Sequence, residues 1–221
     1  MVLFLVFSVL AWQSDLERYT QTLNEIEVYR KAVLTEDNVN GRDFEPMRRQ
    51  VFQQLKNQIL PAWCGTAWGF YGTSHWPQQG EIACGVFVVR TLQHAGFVIP
   101  DRMAAQPAEN IIKNLVSAGP IQRFSRAPLD RVLEWVAAQG DGLYLVGLDC
   151  HVGFLIRFEG KTVFCHANYY PPQKVVMEPA DGPSPLRDSQ YRVIGKLLDD
   201  EMMRHWLEGR TFTQRYDYFR E

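Results

Sequence analysis

The chain carries little net charge and no run of basic residues. Its 23 Lys and Arg residues nearly balance 25 Asp and Glu residues, so the formal charge of the 221 residues is −2. Nucleic acids and anionic membrane surfaces attract proteins that carry strong positive fields, and this composition supplies none. The sequence also lacks internal repeats, and its hydrophobic fraction of 46% favours one globular domain with a sizeable core. We therefore expect no nucleic-acid partner and no strong binding to a membrane surface, apart from an N-terminal anchor.

A long apolar run is missing as well. Residues 1–12, MVLFLVFSVLAW, are almost wholly apolar, but a membrane-spanning helix needs about 20 such residues. The run matches the apolar core of a secretory signal, although no Lys or Arg precedes it and no small-x-small cleavage site follows. We expect residues 1–13 to be a signal-like or anchor segment whose start lies further upstream, and the protein to be periplasmic or extracellular. The alternative is a buried N-terminal strand.

The order of the periodic segments predicts an α+β fold. Residues 14–61 form an N-terminal helical extension, which begins at a capping box (Ser14 to Glu17) and ends at Pro61. Residues 62–198 form the main domain, and residues 199–221 form a C-terminal helix and tail. The patterns place helices near 14–35, 44–60, 107–117 and 128–138, and strands at 143–148, 151–158, 161–168 and 191–198. Because the helices come first and the strands later, we predict a mostly antiparallel sheet.

Cys84 is the first candidate functional residue. It follows an irregular loop, residues 63–80, which is rich in Gly, Pro and Trp and suits the wall of a binding cleft. Apolar residues then recur with helical spacing up to Gly96, so Cys84 is expected in the first turn of a buried helix. Unpaired N–H groups and the helix dipole at that place lower a thiol's pKa and favour a nucleophilic thiolate. The alternative is a buried, inert cysteine.

Two histidines fall on one face of a predicted hairpin. If Glu159-Gly160 is a two-residue turn, His151 lies opposite Asn168 and Gly153 lies opposite His166. Since opposed residues share a face and side chains alternate along a strand, His151, His166 and Asn168 all point the same way. His151 can then act as the base for a thiol, with His166 or Asn168 as the orienting group that holds its tautomer. The alternative is that each is a satisfied core or surface residue.

The other cysteines do not suggest a disulfide or a metal. Four cysteines permit two disulfides in a chain of this length without requiring them. Cys150 and Cys165 point away from the histidine face and are out of register by roughly 13 Å, so a bond between them needs another register. Zinc needs four converging ligands, and alternation sends each of these cysteines away from the histidine beside it. We expect no metal site.

These residues, in this order, resemble the NlpC-type, papain-like cell-wall peptidases. The resemblance covers about residues 62–198. The matching segments are Trp68-Gly69-Phe70-Tyr71-Gly72-Thr73-Ser74, Ala83-Cys84-Gly85, Ala95-Gly96-Phe97-Val98-Ile99-Pro100, His151-Val152-Gly153-Phe154-Leu155-Ile156 and Phe164-Cys165-His166-Ala167. Two features depart from the family pattern. Ala83 and Gly85-Val86 flank the cysteine where the family has Asp and Ser-Gly, and the family's loop tyrosine has only Tyr71 as its nearest phenol.

The resemblance implies a fold, a site and an activity. The fold is papain-like, with the helix that bears the nucleophile packed on an antiparallel sheet. Cys84 is the nucleophile, His151 the general base and acid, and His166 the orienting residue, while Tyr71 assists the oxyanion site. No metal or organic cofactor is needed. We expect a cysteine peptidase or amidase that acts on peptidoglycan stem peptides; the alternatives are an acyltransferase or thioesterase on the same scaffold, or an inactive binding module.

Overall fold

A six-stranded antiparallel sheet lies at the centre of the molecule, which confirms the α+β prediction. The computed structural model describes residues 2–35, 43–116, 119–213 and 215–217. The strands are β1 (Ala67–Trp68), β2 (Glu81–Ile82), β3 (Ile121–Ser125), β4 (Gly142–Leu148), β5 (Val152–Phe158), β6 (Lys161–Ala167), β7 (Val175–Pro179) and β8 (Tyr191–Lys196). In the large sheet the strand order is β3-β8-β4-β5-β6-β7, and β1 and β2 form a separate parallel pair.

Helices cover the sheet and form the N-terminal region. They are α1 (Val2–Thr35), α2 (Glu45–Gln54), α3 (Leu60–Trp63), α4 (Cys84–His94), α5 (Ala108–Leu115), α6 (Leu129–Ala138), α7 (Pro185–Asp188) and α8 (Asp200–Glu208). A π-helical turn at Leu55–Ile59 joins α2 to α3, and a 3-10 helix at Asp101–Ala105 follows α4. The predicted helices near 107–117 and 128–138 correspond to α5 and α6, and the predicted C-terminal helix corresponds to α8.

Two hydrophobic clusters cover the two faces of the large sheet. Alternation along β4 sends Leu143 and Leu145 into one cluster and Tyr144 and Val146 into the other. Helix α4 packs on β5 and β6 on the first face, where the ring of Phe87 meets Phe154 edge-on at 5.8 Å. Helix α6 packs on the opposite face. The position of each side chain along a strand therefore decides which helix it meets.

The N-terminal helices share a core with the main domain. Ile26 of α1 and Val51 of α2 belong to the same buried cluster as Leu92 of α4. Trp206 of α8 is fully buried beside them, and its indole N–H donates to the carbonyl oxygen of Ala95 at 2.7 Å. The extension predicted for residues 14–61 is thus packed on the sheet domain through shared apolar contacts.

Helix α1 begins earlier than the sequence predicted. Its backbone is helical from Val2 to Thr35, so the capping box at Ser14 does not mark a helix start and the N-terminal strand alternative is wrong. Within the described part of the chain, no helix has both the length and the apolar character needed to cross a bilayer. Export of the protein remains a prediction.

The second predicted helix continues past Pro61. In the π-helical turn the N–H of Leu60 bonds to the carbonyl oxygen of Leu55, five residues back. Pro61 then falls in the first turn of α3, where its missing N–H leaves no hydrogen bond unmade. The chain therefore stays helical to Trp63, and the prediction that Pro61 ends this helix is wrong.

Candidate functional site

The hairpin of β5 and β6 has the predicted register. Phe158 pairs with Lys161, and pairing continues to Phe154 opposite Cys165. The turn residues Glu159 and Gly160 both have positive φ, at 50° and 77°, which is typical of a two-residue type I′ turn. Its right-handed twist suits the flanking strands, so the two turn residues fix the pairing of everything beyond them.

Gly153 allows the hairpin to hold a histidine against its partner strand. A Cβ atom at Gly153 would lie 2.7 Å from Cβ of His166 and 2.8 Å from the ring of Phe164. The ring of His166 in turn stacks on Phe164, with centroids 3.9 Å apart and planes at 14°. A side chain at position 153 would occupy space that these rings fill, which explains glycine opposite the second histidine.

A hydrogen-bonded chain of three side chains runs through this face. His151 Nε2 lies 2.8 Å from His166 Nδ1, and His166 Nε2 lies 3.0 Å from Oε1 of Glu178 on β7. His151 and His166 are 3% and 0% exposed. Burial lowers the pKa of His151 to about 3. Burial, and then the neighbouring His151, lower the pKa of His166 to about 2, so both rings are neutral near pH 7.

Cys84 stands at the start of α4, as predicted. Ala83 precedes it in an extended conformation, with φ −82° and ψ 156°, so the helix begins at the cysteine. Gly85 permits close contact with the 3-10 helix, because a Cβ there would lie 2.1 Å from the carbonyl oxygen of Ala104. The small residue after the cysteine therefore has a packing reason.

Cys84 and His151 line the same cleft, which has a volume of about 370 Å³. Cys150 and Val152, on either side of His151, also line it. The backbone N–H groups of Val152, Gly85 and Cys84 itself act on the Cys84 sulfur and lower its pKa. The start of α4 and the residue before β5 thus line one small opening, whereas the His166 ring stacks on Phe164, on the face of the sheet opposite α4.

The predicted low pKa of the Cys84 thiol is wrong. The backbone N–H groups act in the expected direction, but burial of the side chain is the larger effect and raises the pKa above its usual value. A thiolate deprived of water is costly unless a full counter-charge stands beside it, and the neutral His151 supplies none. The resting cleft is therefore lined by a neutral thiol and a neutral imidazole.

The Cys84 sulfur and the His151 ring share a cleft, but they are not directly bonded. Among the described residues, no hydrogen bond joins the Cys84 sulfur to the His151 ring. Since Nε2 of His151 is used by His166, Nδ1 is the nitrogen left for the thiol. Catalytic hydrogen bonds are often long in the absence of substrate and tighten when it binds.

Two other predicted site residues lie elsewhere. Tyr71 is 89% exposed, and its ring packs edge-on against Phe70 at 4.9 Å, in a recess that does not include Cys84. This placement does not fit an oxyanion donor. Asn168 is buried, but its amide oxygen accepts from the backbone N–H of Tyr170 at 2.9 Å. His166, not Asn168, contacts the ring of His151.

Two residues near the histidines were missed by the sequence analysis. Glu178 lies on β7, which was not predicted because prolines surround it and its neighbours lack a clear alternation. Tyr169 packs against His151 with ring centroids 5.2 Å apart and meets Trp68 of β1 at 6.1 Å. A single carboxylate within an otherwise apolar run, Val175-Val176-Met177, was the one signal that could have drawn attention to Glu178.

The cysteines are all free, and the described residues do not offer a metal site. Cys150 is exposed, and its thiol lies 3.9 Å from the phenol of Tyr169. Cys165 is buried beside Cys64; its thiol hydrogen-bonds Cys64 and lowers that residue's pKa, whereas burial raises the pKa of Cys165. In the described part of the chain, no three His, Cys, Asp or Glu side chains are arranged to hold a metal ion.

Comparison with known proteins does not assign the protein to a family. No protein-family model matches the chain, and no curated protein sequence matches it. The resemblance to NlpC-type peptidases therefore stays a prediction, which depends on the motifs and on the arrangement of Cys84, His151 and His166.

Proposed function

We propose that this chain is a cysteine hydrolase of papain-like fold that cleaves amide bonds with Cys84 as nucleophile. The observation that carries the proposal is the buried His151–His166 hydrogen bond, 2.8 Å long, at the cleft that Cys84 also lines. A nucleophile, a base and a group that orients the base are the parts that thiol catalysis needs. Chance seldom puts all three at the junction of one helix start and one hairpin.

The proposed reaction starts with the Cys84 thiol and the His151 imidazole both neutral. His151 Nδ1 takes the proton from Cys84 as the sulfur attacks the substrate carbonyl carbon, and a tetrahedral oxyanion forms. The proton then passes from Nδ1 to the leaving amine as the C–N bond breaks, which leaves a thioester on Cys84. Water attacks the thioester, His151 takes a proton from that water, and the proton returns to sulfur as the acid product leaves. His166 holds the His151 ring in position throughout.

The oxyanion is stabilised by backbone donors at the helix start. Cys84 begins α4 and no side chain caps this end of the helix, so the N–H groups of its first turn lack partners within the helix. One such donor is typically worth roughly 3–4 kcal/mol of transition-state stabilisation. The proposal assigns this role to the backbone, since Tyr71 lies in another recess.

The proposed substrate is a peptidoglycan stem peptide or a fragment of one. Two features support this choice: the motif resemblance to cell-wall peptidases and the apolar segment at residues 1–12, which suits an exported protein. The protein would then be periplasmic or extracellular, whether or not its N-terminus anchors it. No metal or organic cofactor takes part in the proposed reaction.

Purified muropeptides test the proposal. Mass spectrometry after incubation with the wild-type protein should show split stem peptides, and Cys84→Ala should abolish the products. Cys150→Ala is the matched control, because Cys150 lines the same cleft and has no role in the reaction. Cleavage by Cys84→Ala at the wild-type rate would overturn the assignment of the nucleophile. Transfer of the acyl group to an added amine, without hydrolysis, would favour the acyltransferase alternative.

A binding module without catalysis is the second candidate. The raised pKa of Cys84 and the lack of a direct bond between its sulfur and His151, both within the described residues, favour it. Calorimetric titration of muropeptides separates the two candidates. Tight binding to wild type and Cys84→Ala alike, with no product from either, would support the binding module and reject the hydrolase.

A further inference from the structure

We propose that Glu178 is a positioning residue that fixes the tautomers of both imidazoles, so that His151 presents an unprotonated Nδ1 to Cys84. The inference rests on the proposed function, since it deepens the account of the same site. It assigns a role to a carboxylate that the motif resemblance does not include and that lies on a different strand from either histidine.

The first step is the contact between Glu178 and His166. An ionised carboxylate can only accept hydrogen bonds, and its Oε1 lies 3.0 Å from His166 Nε2. His166 must therefore carry a proton on Nε2. Its side chain is fully buried, and the ring is stacked on Phe164, so it cannot turn to offer another atom. Partial burial raises the pKa of this carboxyl, but the side chain remains 27% exposed, and contact with water keeps it ionised near pH 7.

The tautomer of His166 in turn fixes the tautomer of His151. A neutral His166 with its proton on Nε2 has a lone pair on Nδ1, and His151 Nε2 lies 2.8 Å from that atom. Only a proton on His151 Nε2 completes the bond. Nδ1 of His151 is then the unprotonated nitrogen, which is the form that can accept a proton from a thiol.

The hydrogen bonds are donated from His151 to His166 and from His166 to Glu178 only if His166 is neutral. A protonated His166 would donate from Nδ1, so His151 would accept through Nε2 and carry its proton on Nδ1, where it could not act as a base. A carboxylate at 3.0 Å favours protonation of His166, but burial and the neighbouring His151 are the larger effects and lower its pKa to about 2. The carboxylate thus orients the ring without charging it.

The paired strands β6 and β7 hold His166 next to Glu178. His166 pairs with Val176, and Phe164 pairs with Glu178, so the register of β6 with β7 sets the diagonal from His166 to Glu178. His151 directly precedes β5, and its carbonyl oxygen accepts from the backbone N–H of Leu148 at 2.8 Å, which ties it to the end of β4. Geometry built on paired strands is more rigid than geometry built on loops. The chain of hydrogen bonds is therefore present before substrate arrives.

Nitrogen-15 NMR of histidine-labelled protein at neutral pH tests the inference without substrate. In the wild-type protein, Nδ1 of His151 and of His166 should give the signal of an unprotonated nitrogen, and Nε2 of each that of a protonated one. Glu178→Met removes the acceptor and keeps the side-chain volume; it should move His151 Nδ1 toward the protonated signal as both tautomers become populated. Glu178→Ala provides a second variant that lacks the acceptor.

Glu201→Gln is the matched control. Glu201 lies 3.6 Å from His205 on α8, outside the site, so its loss should leave the His151 and His166 signals unchanged. A protonated His151 Nδ1 in the wild-type protein would overturn the inference, even if no Glu178 variant folds. Wild-type tautomers retained in folded Glu178→Met would also overturn it, since a merely structural glutamate changes stability but not tautomers.

Activity separates this inference from the proposed function. If muropeptides are cleaved, Glu178→Met should lower kcat roughly 10- to 100-fold with little change in KM, the size of loss seen when the carboxylate that orients a metal-binding histidine is removed. If no substrate is cleaved but the tautomers depend on Glu178 as described, the hydrolase proposal fails and the tautomer assignment stands. If muropeptides are cleaved but the tautomers do not depend on Glu178, the hydrolase proposal stands and the tautomer assignment fails.

Discussion

Replacement of Gly153 by alanine should both destabilise the protein and stop its chemistry. The new Cβ would lie 2.7 Å from Cβ of His166, 2.8 Å from the ring of Phe164 and 3.0 Å from the carbonyl oxygen of Cys165. The rings of His166 and Phe164 are fully buried, so neither can move aside into solvent. Overpacking of this kind costs about 1–3 kcal/mol, which lowers Tm by about 2–12 °C for a chain of this size.

The same clash should separate His166 from His151, because the strands must spread to admit the methyl group. Loss of the 2.8 Å bond between them leaves His151 without its orienting partner. Differential scanning fluorimetry measures the fall in Tm, and muropeptide cleavage measures the loss of activity. We expect cleavage to fall well beyond the fraction of protein that is unfolded at the assay temperature.

Gly160→Ala is the control that separates stability from geometry. Gly160 has φ 77°, and a Cβ there meets no atom within 4 Å, so the substitution introduces backbone strain without a clash. Strain in this region costs roughly 1–2 kcal/mol, similar to the cost at Gly153. Gly160→Ala should therefore lose stability but keep activity. Wild-type Tm and activity in Gly153→Ala, or an equal loss of activity in both variants, would refute the reasoning.

Two further predictions follow from burial of the titratable groups. Burial lowers the pKa of His151 to about 3, so the unfolded chain binds a proton first as pH falls, and stability present above about pH 6.5 is lost toward pH 3. Near pH 4.5 the part of the loss that is due to His151 should be about 3 kcal/mol, and His166, whose pKa is lowered to about 2, adds its own part. Urea unfolding at pH 7.5 and pH 4.5 should therefore show a smaller difference in His151→Gln; an equal difference would contradict this account. Iodoacetamide at mildly acidic pH should label the exposed Cys150 before Cys84 and leave Cys165 unlabelled in folded protein, as peptide mass spectrometry can show. Preferential labelling of Cys84 would indicate a resting thiolate and refute the neutral pair.

The sequence alone was sufficient where the interactions are local. The turn Glu159-Gly160 sets the register of β5 with β6, and alternation then decides that His151 and His166 share a face. The apolar periodicity before Gly96 likewise placed Cys84 at a helix start. Both results depend on residues within one turn or one strand pair, where the backbone offers few conformations.

Sequence patterns failed at the edge strands and at the ends of the first helices. Strands β3 and β7 lie at the two edges of the sheet, where half-exposed residues blur the alternation that identifies a strand. A capping box at Ser14 occurs inside α1, and a π-helical turn carries the helix past Pro61. Local signals of helix ends were overridden by the helices in which they lie.

The sequence determined by itself that this is an α+β protein, that Cys84 begins a helix and that His151 and His166 share one face of a hairpin. Only the tertiary structure decided that Glu178 hydrogen-bonds His166, because β7 pairs with β6 after a proline-rich loop whose path no local pattern predicts. The tertiary structure also decided the charge of the site. Helix position alone favours a thiolate, but burial depends on everything packed around the sulfur, and it is the larger effect on the pKa of Cys84.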